Sequence, residues 1–106
     1  MKSAAFKRLT SSSSDLVLVD FYADWCGPCQ TVSPMIQQVA KEFGNKISVL
    51  KINIDKSRPL VEKFNIRSVP TLLLFKEGKI IWKKAGIMTK KELSGKIKNA
   101  IYNQNN

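Results

Sequence analysis

The chain has 106 residues, 43% hydrophobic and 25% charged, which is the make-up of one small globular domain covering 1–106, and its apolar runs fall far short of the roughly 20 residues of a membrane-spanning helix. His is absent, which removes imidazole catalysis and His metal sites, and the two cysteines, Cys26 and Cys29, are too few to complete a four-ligand zinc site. Net charge is +10, and because Lys2, Lys7, Arg8 and Lys41 balance Asp15, Asp20, Asp24 and Glu42, the whole excess lies beyond residue 45.

Ala5, Phe6 and Leu9 suit one face of a short first helix capped by Ser3, and Ser11 to Ser14 reads as a polar connector too short for a domain linker. Leu16 to Tyr22 is a continuous apolar and β-branched run, the pattern of a central strand buried on both faces. Ala23 to Cys29 then forms a turn that opens a helix, with Pro28 at an early position where its missing N–H is harmless. Val32, Met35, Ile36, Val39, Ala40 and Phe43 repeat at helical spacing, Gly44-Asn45 ends the helix, and Pro34 is expected to kink it. Ile47 to Ile54 alternates as a second strand, with Ile47, Val49, Lys51 and Asn53 on one face. Ser57 to Phe64 is a short helix. Thr71 to Phe75 and Lys79 to Lys83 are two strands joined as an antiparallel hairpin by Glu77-Gly78. Thr89 with Glu92 forms a capping box for a last helix striped by Leu93, Ile97, Ala100 and Ile101, and the tail from Asn103 to Asn106 is expected to fray. The order predicts an α/β fold: a mixed sheet with helices on both faces.

A Cys-x-x-Cys at a strand-to-helix turn is suited to redox chemistry. The helix start offers unpaired N–H groups and partial positive charge, which favour a thiolate at Cys26. Cys29, one helical turn on, is in reach of it. Cys26 is therefore expected to attack a substrate disulfide, and Cys29 to attack Cys26 and release the reduced substrate. Two inert core thiols, or half of an intersubunit metal site, would leave Trp25, the Gly27-Pro28 pair and the helix start unexplained. Asp20 ends an apolar strand beside this turn, so burial and a raised pKa are expected of it.

Val19-Asp20-Phe21, Trp25-Cys26-Gly27-Pro28-Cys29, Pro34, Lys51-Ile52-Asn53-Ile54-Asp55, Val69-Pro70-Thr71, Phe75-Lys76-Glu77-Gly78 and Gly86, in this order, resemble the thioredoxin family from about Phe6 to the end. The resemblance implies a thioredoxin fold and a thiol–disulfide oxidoreductase. Asp20 is then the proton-transfer group for Cys29, and Lys51 its modulator, although an edge-exposed Lys is an equal reading of Lys51. Pro70 corresponds to the family's cis-proline beside the dithiol. Trp25, Gly27, Pro28, Val69 and Gly86 correspond to a shallow substrate surface. Gly27-Pro28 resembles the reducing members, since oxidising relatives carry His there. No bound cofactor is implied, only an external electron donor, by resemblance an NADPH-dependent thioredoxin reductase. Typical members begin with an extra edge strand; with so few residues before Phe6 it is expected to be absent, leaving about four strands. Tyr22 stands where Trp is usual, Gln30 where a cation is common, and Trp82 is an unusual hairpin residue explained by packing or a cross-strand pair.

The cationic excess is nearly all Lys, with only Arg8, Arg58 and Arg67 as Arg, and it forms no dense run and no RNA-binding motif. It reads as a solvated surface, or as steering for acidic protein partners, rather than as a specific nucleic-acid site. Residues Met1 to Arg8 hold no apolar h-region, so the default compartment is the reducing cytoplasm, where paired Cys are catalytic rather than structural. A monomer acting on disulfide-containing proteins, with no membrane contact, is expected. Two rivals stand: an exported oxidase or isomerase, and a basic binding module with incidental redox activity.

Overall fold

In the computed structural model, which describes residues 1–11 and 15–102, the apolar run Leu16–Tyr22 is strand β1, buried from Leu16 to Phe21. A strand buried on both faces needs neighbours along its edges and helices above and below. β2 (Ile47–Asn53) pairs with it in parallel and β3 (Thr71–Lys76) antiparallel, and β4 (Lys79–Ala85) joins β3. The result is the expected four-stranded mixed sheet, in the order β2-β1-β3-β4.

Alternation along the strands sorts the core into two layers. On one face, Leu16 and Leu18 of β1 with Ile47, Leu72 and Leu74 meet Val32, Ile36 and Val39 of α2 (Gly27–Phe43) and Leu93 and Ile97 of α4 (Lys90–Tyr102). Trp82 packs at the margin of this layer and stands opposite Leu74 in the hairpin, so both of its expected explanations apply. On the other face, Val17, Val19 and Phe21 with Ile52, Leu73 and Phe75 meet Phe6 of α1 (Ser3–Ser11) and Leu60 of α3 (Arg58–Lys63). Phe6 lies 5.2 Å from the Phe64 ring and 5.6 Å, edge-on, from Phe75.

The inward face of α1 differs from the sequence reading. Leu9 is 48% exposed, and Thr10 is buried in its place, its Oγ1 donating to the Phe6 carbonyl. Ser3 is already helical rather than a cap before the first turn. The reason is tertiary: the Thr10 carbonyl accepts the Gly78 N–H at 3.1 Å, which docks the end of α1 on the hairpin turn. In that turn Glu77 and Gly78 both take positive φ, 52° and 81°, as a two-residue hairpin loop of this kind requires. A Cβ on Gly78 would come within 3.0 Å of Ser11 Cβ, so glycine also permits the close approach. The rest of the polar connector, residues 12–14, and the tail, residues 103–106, lie outside the described residues.

α2 continues through Pro34 to Phe43 and ends at Gly44, whose φ is 59° and whose N–H returns to the Ala40 and Lys41 carbonyls. At α4 the Thr89 hydroxyl accepts the Glu92 N–H at 3.0 Å, the first half of the expected capping box; the Glu92 carboxylate lies 3.6 Å from Lys84. Thr89→Ala is therefore expected to cost about 1 kcal/mol, read as a lower urea midpoint with an unchanged slope. An unchanged midpoint would mean that the cap contributes nothing.

Candidate active site

β1 delivers the chain into a turn, and Cys26 occupies the N-cap of α2 with extended backbone, φ −91° and ψ 109°. Its Sγ accepts the Cys29 backbone N–H at 3.1 Å. The first-turn amides lack helical partners and the helix dipole is positive there, so negative charge on this sulfur is favoured. Cys26 and Cys29 are joined as a disulfide with Cα atoms 5.3 Å apart. They pack with Ala23 against Tyr22, Ile54 and Val69. Residue exposure does not separate them, at 4% and 5%; the distinction lies in the N–H that Cys26 Sγ accepts.

Asp20 shares the α2-facing side of β1 with Leu16 and Leu18 and is 2% exposed. Its Oδ1 has no hydrogen-bond partner among the described residues. Burial disfavours the ionised form and pushes the carboxyl up from 3.8 to about 6, against an opposing pull from the Lys51 charge. Lys51 stands opposite Asp20 in the β1–β2 register. Because β2 is an edge strand, the aliphatic stem can follow the sheet while the ammonium stays in solvent. That ammonium donates to Ser33 Oγ at 3.1 Å and lies 4.6 Å from the centre of the Tyr22 ring. The two readings of Lys51 are thus compatible: it is an exposed edge residue, and its charge reaches Asp20. A cleft of about 350 Å³ opens beside it, lined by Tyr22, Asp24, Cys29, Ser33 and Lys51 among others.

On the outer side, Trp25 is 69% exposed, as its place in a turn predicts, and its Nε1 donates to Asp55 Oδ2 at 2.9 Å. The Asn53 side chain steadies Asp55 in turn by accepting its backbone N–H at 2.9 Å. Gly27 and Pro28 are exposed in the first turn of α2. The Val69–Pro70 bond is cis, Pro70 is buried, and the Pro70 carbonyl accepts the Gly86 N–H at 2.8 Å. Gly86 has φ 93°, a conformation suited to glycine. Val69 belongs to the cluster around the disulfide, and Pro70, next to it in the chain, ties Gly86 to the same side. Sequence reasoning assigned no part to Asp55 or Ser33, and noted Tyr22 only as a substitution. Asp55 only closes a stretch that carries the family resemblance, and the partners of all three lie on other elements.

The family model described as Thioredoxin matches residues 1–99. The chain belongs to the thioredoxin family. Thioredoxin of Buchnera aphidicola subsp. Baizongia pistaciae is 43% identical over 88 residues, which is 83% of this chain and 81% of that one. Thioredoxin of Rickettsia felis is 41% identical over 98 residues, 92% of this chain and 93% of that one. Among solved structures, a mutant thioredoxin from Halobacterium salinarum NRC-1 matches with a TM-score of 0.84 at 34% identity, covering 93% of this chain and 85% of that one. With a thioredoxin fold and its Cys-x-x-Cys pair in bonding geometry, the protein is a thiol–disulfide oxidoreductase. Thioredoxin chemistry requires no bound cofactor, because the two thiols carry both electrons. Among the described residues no helix is long and apolar enough to cross a membrane, and no cluster of three or more His, Cys, Asp or Glu could hold a metal.

Proposed function

We propose that this thioredoxin is a general reductant of protein disulfides, with Cys26 as nucleophile and Cys29 as resolving thiol. The Cys26 thiolate attacks one sulfur of a substrate disulfide, and the other sulfur leaves as a thiolate. Asp20 then takes the Cys29 proton, and Cys29 attacks Cys26 Sγ. The Cys26–Cys29 disulfide forms, and the second substrate sulfur leaves and is protonated. Two electrons have passed from the dithiol to the substrate. A carboxyl titrating at about 6 suits this exchange near neutral pH, and Lys51 keeps it from rising further. Trp25, Gly27, Pro28, Val69 and Gly86 offer the substrate a shallow surface, with Pro70 fixing the Val69 backbone.

The N–H of Cys29 on Cys26 Sγ, at a helix start, is the observation that carries this reading. A dithiol that donates electrons must be recharged, which calls for an external reductase, an NADPH-dependent thioredoxin reductase by family likeness. It also suits a reducing compartment, the cytoplasm. The chain works as a single domain and a monomer, on disulfide-containing proteins rather than on nucleic acid or membranes.

In the reduced protein at pH 7, Cys26 is expected to react with iodoacetamide at least about tenfold faster than Cys29, the effect of one or more pKa units of thiolate stabilisation. Equal rates would overturn the assigned roles. Insulin reduction driven by NADPH and a thioredoxin reductase is expected to follow, and failure of that coupled assay would sink the reductase reading.

A further inference from the structure

A lysine side chain with four rotatable bonds on an edge strand would ordinarily sweep a wide volume of solvent. Lys51 does not. Three elements converge on its ammonium: β2 supplies the lysine, α2 supplies the Ser33 hydroxyl at 3.1 Å, and β1 supplies the Tyr22 ring face at 4.6 Å. Ser33 lies one helical turn beyond Cys29, on the same side of α2. A serine within a helix is a poorer helix former than alanine and commonly bonds back to its own helix. Here its oxygen accepts from Lys51, across the cleft that Tyr22, Ser33, Lys51 and Cys29 line together.

We propose that Ser33 and Tyr22 are positioning residues that hold the Lys51 ammonium beside Cys29, so that Asp20 meets a charge fixed in place rather than one averaged over solvent. This rests on the reading of Asp20 as the proton-transfer group for Cys29. The titratable groups on the segments that flank Asp20 are Tyr22 at the end of β1, Asp24 in the turn after it, Lys51 on β2, and Cys26 and Cys29 at the start of α2; β3 presents the uncharged Leu72 opposite it. Asp24 shares the cleft, but its carboxylate accepts from the Asn53 amide at 3.4 Å. Lys51 is therefore the cation whose placement sets how far the effect of burial on Asp20 is offset.

The test is the titration of the Asp20 carboxyl carbon by NMR in the oxidised protein, where neither cysteine titrates. Ser33→Ala frees the ammonium, so the carboxylate is less stabilised and the midpoint is expected to rise by about 0.3–0.7 pH unit, the scale of an exposed charge pair. Ser33→Thr, which keeps the hydroxyl, is expected to restore it, and Tyr22→Leu to shift it in the same direction as Ser33→Ala. In a Lys51→Met background Ser33→Ala is expected to add nothing. An unmoved midpoint in Ser33→Ala, or an equal rise without Lys51, would overturn the proposal. The pH profile of mixed-disulfide release separates the two readings. If it moves with the Asp20 titration, both stand. If the titration moves and the profile does not, the positioning stands and the proton-transfer role of Asp20 falls.

Discussion

Cys26→Ser is expected to lower insulin-disulfide reduction by on the order of 10³-fold or more, whereas Cys29→Ser is expected to stop the reaction halfway. The two sulfurs differ in position, so their loss has different consequences. Cys26 Sγ is at the N-cap and accepts the Cys29 N–H. A serine there keeps the hydrogen bond, but its hydroxyl remains protonated at neutral pH and cannot attack a disulfide. Cys29 is within the first turn of α2, and in the proposed reaction it attacks the mixed disulfide from the protein side. With Cys29→Ser the first attack proceeds, one substrate sulfur leaves, and the second remains bonded to Cys26. Mass spectrometry of Cys29→Ser mixed with a disulfide substrate is expected to show a covalent adduct that dithiothreitol removes, and Cys26→Ser is expected to show none. Adducts formed equally by both variants would mean that either thiol can lead.

The paired cysteines at a helix start were legible in the sequence because the pattern is local. A buried strand, a Cys-x-x-Cys turn and a proline at the helix start are contiguous, and the dipole argument needs only that order. The sheet was legible for a similar reason: the unbroken apolar run of β1 contrasts with the alternation of β2, and Glu77-Gly78 defines the hairpin. Contacts between distant segments were not. The Trp25–Asp55 bond joins residues 30 apart and the Lys51–Ser33 bond residues 18 apart, each between different elements. Asp55 and Ser33 are ordinary polar residues until the fold brings their partners. Leu9 shows the same limit on the apolar side. Helical periodicity gives an amphipathic stripe, but the rotation of α1 about its axis is set by its docking on the hairpin turn through Thr10 and Gly78, which turns Leu9 outward. Lys51 lay between two descriptions because strand alternation fixes its face, while only the sheet order makes β2 an edge.

Asp20→Asn is expected to make the protein more stable and a worse reductant, and both effects depend on pH. The carboxyl titrates at about 6 in the folded chain, with burial as the main cause and Lys51 opposing, against 3.8 for an ordinary aspartate. Between these values the folded chain binds more protons than the unfolded one, so stability falls as pH rises through that window. Below it both states are protonated and no penalty applies. Above it the full cost of ionising a group with an unpartnered buried oxygen stands, about 3 kcal/mol at roughly 1.4 kcal/mol per unit. The asparagine carries no such charge, although its buried amide brings a desolvation cost that does not vary with pH. Unfolding free energies of the two proteins, read from urea titrations, are therefore expected to diverge by on the order of 1–3 kcal/mol between about pH 3.5 and about pH 8, in favour of the variant at the higher pH. A constant difference across that range would mean that the carboxylate is not desolvated. The same substitution removes the proposed acceptor for the Cys29 proton. Release of the mixed disulfide is expected to slow by about 10²-fold near neutral pH, with its formation unchanged, and to recover as pH approaches the thiol's own pKa. If release kept its rate while the stability gain appeared, Asp20 would be a buried carboxylate without a part in the chemistry, and Cys29 would lose its proton directly to water through the cleft beside Lys51.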